Sequence, residues 1–180
     1  MTRYGRSPWV DNFPRSRVPS YLKHKGQLAT DVVIVGGGLT GCATAYAFAA
    51  AGVRVVLLEA DRVGQGSSGG SSGWVEDDPG IGFVEAEKQM GLRDARYAFK
   101  AWHRAALDFG ALVRRLNLKC EFEPTSSVLA ALTPEQQVRL KKEVKARRSA
   151  GLDAPLINAR AVAAETGLAA AAAVRTRDGA

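Results

Sequence analysis

The chain has 180 residues and a formal net charge of +7, with 25 Lys and Arg against 18 Asp and Glu; 46% of its residues are hydrophobic and 24% charged. That balance excludes a wholly disordered or collagen-like chain. Cys42 and Cys120 lack C-x-x-C spacing, and His24 and His103 stand isolated in the sequence, so neither a disulfide framework nor a metal site is predicted. Much of the apolar content is alanine, which predicts a helix-rich core with small contacts.

Residues 1–30 are basic (Arg3, Arg6, Arg15, Arg17, Lys23, Lys25) and punctuated by Pro8, Pro14 and Pro19, with scattered aromatics such as Tyr4 and Trp9. They read as an irregular arm draped over a domain. The arm has no apolar core of a secretory signal and no twin-arginine pair, so the cytoplasm is the default location. The uncharged stretch 32–53 is broken by Gly36-Gly37-Gly38 and bracketed by Asp31 and Arg54, so no membrane span is expected there.

Asp31–Val35 is a β-branched run of the kind expected for a strand buried on both faces. A helix is predicted over Leu39–Ala51, with Gly52 as its C-terminal cap, and a second buried strand over Val53–Leu58. Strand, helix and strand within this length make a βαβ unit, hence a parallel pair. A Gly/Ser-rich loop follows at Gly64–Gly73, then a turn at Asp77–Gly80 and a short helix over Phe83–Met90 that stops at Gly91. A long helix over Leu92–Asn117 carries an apolar stripe at Ala95, Ala98, Trp102, Ala105, Phe109, Leu112 and Leu116. Packing on a sheet explains it better than a coiled coil, because three of those positions are alanine. Lys119–Glu123 and Ser127–Leu132 read as short strands. Thr133-Pro134 opens a helix running to about Arg148, and a strand at Leu156–Ile157, a helix over Arg160–Glu165 and a strand at Ala171–Arg175 finish the chain.

Gly36-Gly37-Gly38-Leu39-Thr40-Gly41 satisfies G-x-G-x-x-G in full context: it leaves a strand, opens a helix, and a second strand ends in the acidic Glu59. Gly36 permits the tight turn, Gly38 lets a pyrophosphate approach the backbone, and Gly41, with Ala45, lets the helix pack close. The amides of Leu39, Thr40 and Gly41 then face the phosphates at the positive helix end. Glu59 suits the adenosine ribose hydroxyls and would repel a 2′-phosphate, which disfavours NADP. The competing reading is a glycine turn serving geometry alone. FAD and NAD share this fingerprint, and the loop Gly64–Gly73, with Ser67 and Ser68, reads either as a cofactor-contacting segment or as a flexible linker.

On the motifs Asp31–Gly41, Leu57-Leu58-Glu59 and Gly64-x-Gly-Ser-Ser68 through Gly73, the chain resembles FAD-dependent oxidoreductases of the D-amino-acid oxidase and sarcosine oxidase type. The likeness continues more loosely through the long helix, a strand around Cys120 and the helix at Pro134. It implies an α/β fold: a Rossmann-like FAD/NAD(P)-binding domain with a parallel sheet, plus an incomplete α+β portion of a substrate domain. The expected organisation is the arm at 1–30, an FAD-binding βαβ unit and loop at 31–80, and a helical segment with the start of the substrate domain at 81–180. The resemblance assigns FAD contacts to Gly36, Gly38, Gly41, Glu59, Ser67, Ser68 and Gly73. With no histidine between Glu59 and Trp74, the FAD is expected to be non-covalent. It also implies hydride transfer from the C–N carbon of an amino acid or secondary amine to the flavin. The family's enzymes being about twice this length, a fragment is expected.

No catalytic residue is assigned. Trp102 is expected to pack in the core, and His103 and Arg104 to meet solvent or helix ends; Cys42 and Cys120 read as small buried residues rather than reactive thiols. Two other functions compete. The basic arm and the basic helix at 134–150 could track nucleic-acid phosphates, but no nucleic-acid motif accompanies them, so no such partner is expected. A non-catalytic dinucleotide-binding module is the second alternative.

Overall fold

The computed structural model describes residues 7–180, the side chain of Arg15 excepted. The arm's Arg3, Tyr4 and Arg6 lie outside the described residues. The chain forms two compact units, one ending at Gly73 and the other running from Trp74 to Ala180.

In the first unit the arm is less irregular than expected: Pro8–Asn12 form a short helix, α1, with proline at its first position, and Arg15–Arg17 a single 3-10 turn. The strands β1 (Val32–Val35) and β2 (Val55–Leu58) flank the helix α2 (Leu39–Ala50) and pair in parallel, Val32 opposite Val55 through Val35 opposite Leu58. Gly52 takes φ +77, as a residue just past a helix end must when the chain turns back toward a strand. The expectation that β1 is buried on both faces is not met. Its burial alternates, and Val33 and Val35 are 55% and 84% exposed. The physical reason is that α2 covers only the face of Ile34. The continuous β-branched run is suited to a two-sided sheet, of which this unit supplies one side.

The second unit is α+β. Helices α3 (Phe83–Met90) and α4 (Leu92–Arg115) meet at Gly91, whose φ of +83 permits the break. Then follow β3 (Thr125–Ala131), α5 (Pro134–Ser149), β4 (Leu156–Asn158), α6 (Ala159–Thr166) and β5 (Ala172–Gly179). The three strands form an antiparallel sheet in the order β3-β5-β4. Alternation along β5 sends Ala172 and Val174 to Leu140 and Val144 of α5, and Ala173 to Val162 of α6. The small-residue core expected from composition is present. Thr133 and Gln136 form a reciprocal capping box with Pro134 at the first position, so α5 starts where the sequence places it.

Three expectations in this unit are corrected. The buried stripe of α4 is Ala95, Phe99, Ala106, Gly110 and Val113. It lies about 80° around the helix from the expected stripe, at roughly 100° per residue. Trp102, expected in the core, is 50% exposed, and its indole Nε1–H donates to the Glu76 carbonyl at 2.9 Å. Alanines at nearly every turn leave two stripes almost equally apolar, and Phe99 on α3 decides between them. Second, Lys119–Glu123 is not a strand. Asn117 (φ +50) ends the helix and Glu121 (φ +53) bends the chain again, so no ladder can form before β3. Third, Cys120 is exposed rather than buried. In the first unit, Cys42 is half-buried with its thiol 3.6 Å from the Gly37 carbonyl.

Candidate functional site

The glycine turn between β1 and α2 combines a positive φ at Gly36 with close approaches at Gly37, Gly38 and Gly41. Gly36 takes φ +103, a conformation that favours glycine. A Cβ at Gly41 would overlap the Gly36 carbonyl oxygen outright and stand 3.5 Å from Ile34. One at Gly38 would lie 3.0 Å from the Ser68 hydroxyl oxygen. The first helical hydrogen bond runs from Cys42 N–H to the Gly38 carbonyl at 2.9 Å. The amides of Leu39, Thr40 and Gly41 therefore precede any acceptor within α2 and carry the positive end of its dipole.

The loop expected beside the cofactor folds onto this helix end. Ser68 Oγ accepts the Leu39 N–H at 2.8 Å and keeps its own hydroxyl hydrogen for donation. Ser67 beside it is exposed. Gly73 (φ +76) lies under the Trp9 ring, where a Cβ would come within 3.1 Å, and Trp9 Nε1–H donates to the Ser71 carbonyl at 2.9 Å. The sequence alone assigns Trp9 no role, because an aromatic in a proline-rich arm gives no periodic signal.

Glu59 is aimed at the turn itself. Its Oε2 accepts the Gly37 N–H at 2.6 Å, and its Oε1 accepts the Asp61 N–H at 3.0 Å. Each oxygen retains a lone pair for a further donor such as a sugar hydroxyl. Gly37 is the buried hub of this arrangement, because its carbonyl also accepts from Gly64 N–H at 2.8 Å. The G-x-G pattern leaves that position free, so the motif gives no sign of its role. The Asp61 and Gly37 amides hold the Glu59 carboxyl below the usual carboxylate range. A depressed folded-state pKa stabilises the protein above the unfolded pKa, and that contribution is lost as pH falls through the folded value. Urea midpoints of the wild type should therefore fall more steeply than those of Glu59→Gln as pH drops from 7 to 3; parallel curves would show that these bonds do not form in solution.

His103 is not isolated in space. Its Nδ1 is 3.7 Å from Asp77 Oδ2 and its Nε2 is 3.5 Å from Asp178 Oδ2. Residues 75 and 26 places away in sequence cannot signal this proximity. Arg104 points elsewhere, into an exposed pair with Asp108. On α5, Arg147 is buried against Glu143 and Asp78 rather than offered to a polyanion, while Lys141, Lys142 and Lys145 are exposed.

A glycine turn, a helix end with open amides and an acidic residue closing the second strand define a dinucleotide-binding protein of Rossmann type. The family described as FAD dependent oxidoreductase matches residues 31–180, and the chain belongs to that family. The chain is 29% identical over 116 residues to gamma-glutamylputrescine oxidoreductase of Escherichia coli (strain K12), covering 64% of this chain and 27% of that protein. It is 26% identical over 162 residues to one component of the anaerobic glycerol-3-phosphate dehydrogenase of the same organism, covering 88% and 27%. Among solved structures, L-amino acid deaminase from Proteus vulgaris, with its specific insertion deleted, superimposes with a TM-score of 0.66 at 18% identity, covering 96% of this chain and 44% of that one. The chain thus spans about a quarter of the length of these curated relatives. Among the described residues, no helix is long and apolar enough to cross a membrane.

Proposed function

We propose that this chain binds FAD non-covalently through the first unit, and that the protein oxidises the C–N bond of an amino acid or secondary amine. The observation that carries the reading is the helix end whose Thr40 and Gly41 amides have no helical acceptor, beside a carboxylate fixed on Gly37 with lone pairs to spare. These residues fit the cofactor. Gly36, Gly38, Thr40 and Gly41 would hold its diphosphate, the Leu39 N–H being already given to Ser68 Oγ, with Glu59 on its adenosine ribose and Ser67, Ser68 and Gly73 along the flavin side. FAD, when bound, supplies the hydride acceptor; the protein's task is orientation and electrostatics. Residues 31–80 make the cofactor-binding part, 81–180 begin the substrate-binding part, and the arm at 1–30 covers the loop through Trp9.

The amine reading over other oxidations is supported by the activities for which two similar proteins are named, a gamma-glutamylputrescine oxidoreductase and an L-amino acid deaminase. The glycerol-3-phosphate dehydrogenase represents the competing C–O chemistry. Fluorescence titration should show FAD binding that Glu59→Ala weakens about 10–100-fold, the range expected when hydrogen bonds to a charged group are lost. Anaerobic mixing of the FAD-loaded protein with amino acids and N-methyl amino acids should bleach the flavin absorbance. Bleaching by glycerol 3-phosphate alone would overturn the substrate class. Binding without bleaching by any of these would mark a non-catalytic dinucleotide-binding module, and absence of binding would remove the cofactor assignment.

A further inference from the structure

We propose that Trp9 is a positioning residue for the flavin side of the cofactor: it fixes the far end of the glycine-serine loop 64–73, and through that loop it sets the Ser67 and Ser68 hydroxyls. The inference rests on the FAD reading above. It adds to that reading a residue of the arm, outside residues 31–180 that the family model matches.

The loop has little with which to hold its own shape. Of its ten residues five are glycine, four serine and one glutamine, so it has no apolar side chain to bury. Each glycine also loses more conformational freedom on ordering than any other residue would. Its internal hydrogen bonds are long. Gly70 N–H reaches the Gly66 and Ser67 carbonyls at 3.3 and 3.2 Å, and Ser71 N–H reaches the Ser68 carbonyl at 3.3 Å, against about 2.9–3.0 Å for the commonest N–H···O bonds.

Shorter bonds tie the loop to its surroundings at three points in succession. At its start, Gly64 N–H donates to the Gly37 carbonyl at 2.8 Å. In its middle, Ser68 Oγ accepts the Leu39 N–H at 2.8 Å. Near its end, the Ser71 carbonyl accepts Trp9 Nε1–H at 2.9 Å. The first two anchors belong to the glycine turn and α2; the third comes from the arm.

Packing accompanies that third bond. A Cβ on Gly73 would stand 3.1, 3.4 and 3.7 Å from three carbons of the Trp9 ring, and Gly73 itself holds φ +76. Val10, the next residue of α1, has its Cγ2 3.0 Å from where a Cβ of Gly69 would lie. Indole and methyl thus fit against two loop positions where only glycine leaves room. The two side chains are presented from a fixed turn, because Val10 and Asp11 N–H both donate to the Ser7 carbonyl, at 3.1 and 2.9 Å. Yet the Trp9 side chain lies in no core: the residue is 54% exposed. Its placement is accounted for by the loop it touches.

Ser67 and Ser68 lie between the Gly37 and Trp9 anchors, so releasing the far anchor lets both turn about the Leu39 bond. Glu59 is fixed without the arm, on the Gly37 and Asp61 amides. Loss of Trp9 should therefore separate the flavin side of binding from the adenosine side.

The test is calorimetric titration of the full chain with FAD and with ADP, which carries a diphosphate and an adenosine ribose but no flavin. Trp9→Ala is expected to weaken FAD binding about tenfold, the affinity equivalent of one hydrogen bond of ordinary strength, and to leave ADP binding unchanged. Trp9→Phe keeps a ring over Gly73 without the N–H and should fall between. Hydrogen exchange without added cofactor supplies the second readout: amides of residues 66–73 should exchange faster in Trp9→Ala while those of α2 do not change. Equal losses for FAD and ADP would show a general structural role and overturn the proposal, as would unchanged FAD affinity or unchanged loop exchange in Trp9→Ala. A wild-type chain that binds no FAD would instead overturn the cofactor reading, an outcome seen before any substitution is made.

Discussion

Replacing Gly41 by alanine is expected to cost on the order of 3 kcal/mol or more of stability and to abolish FAD binding. The added methyl would occupy the space of the Gly36 carbonyl oxygen, and the Gly36 carbonyl carbon is 3.1 Å away on the same side. Overlap with the far end of a flexible side chain can be relieved by rotation. Here the obstacle is backbone, pinned by the Gly36 N–H bond to the Leu58 carbonyl at 2.7 Å. Either α2 lifts off the sheet or β1 and β2 separate, and overpacking of this kind typically costs about 1–3 kcal/mol before any backbone bond is lost. The amides of α2 would move with the helix, so binding fails together with stability. Gly66→Ala supplies the control, because its Cβ would meet nothing within 4 Å and its φ is ordinary. Urea denaturation and FAD titration of both variants test this. A Gly41→Ala protein with wild-type stability would mean that the turn is looser than described.

The same geometry explains why this part of the fold is legible in the sequence. Gly36 and Gly41 are required by local backbone geometry, the first by its positive φ and the second by the Gly36 carbonyl, and the bounds of α2 and α5 are set by Gly52 and by Thr133-Pro134-Glu135-Gln136, all within a few residues of the elements they control. What is not legible depends on partners far away in the chain. The buried face of α4 is chosen by α3 and α5, and alanine-rich turns offer no preference of their own. The exposure of Val33 and Val35 depends on what lies over the sheet, which a run of valines does not disclose. Gly37 escapes the motif because its role is to donate to Glu59, 22 residues away. The grouping of Asp77, His103 and Asp178 spans 101 residues and has no local spacing to announce it.

Truncating Glu143 to alanine is expected to destabilise the second unit by about 3–5 kcal/mol, the range for breaking a buried ion pair by removing one partner. Glu143 and Arg147 are 9% and 7% exposed, one helical turn apart on α5. The carboxylate accepts Arg147 Nε–H at 2.7 Å, and also the Phe83 and Val84 amides at 2.5 and 3.1 Å. Those amides begin α3 and have no acceptor within it, so Glu143 serves as the N-terminal cap that Gly82 cannot provide. The alanine variant therefore leaves a buried guanidinium whose remaining carboxylate partner among the described residues is Asp78, over the Phe99 ring, together with two orphaned amides and a weakened seat for Phe83, which packs edge-on against Phe99 at 5.1 Å. Glu143→Gln should lose less, since one acceptor oxygen remains for an amide. The double variant Glu143→Leu/Arg147→Met should recover part of the loss, because α5 then buries no charge at these positions and only the helix cap is missing. Equilibrium urea unfolding of the three variants decides between these contributions. A loss below about 1 kcal/mol in Glu143→Ala would place the pair among weak surface interactions and refute its role in joining α3 to α5.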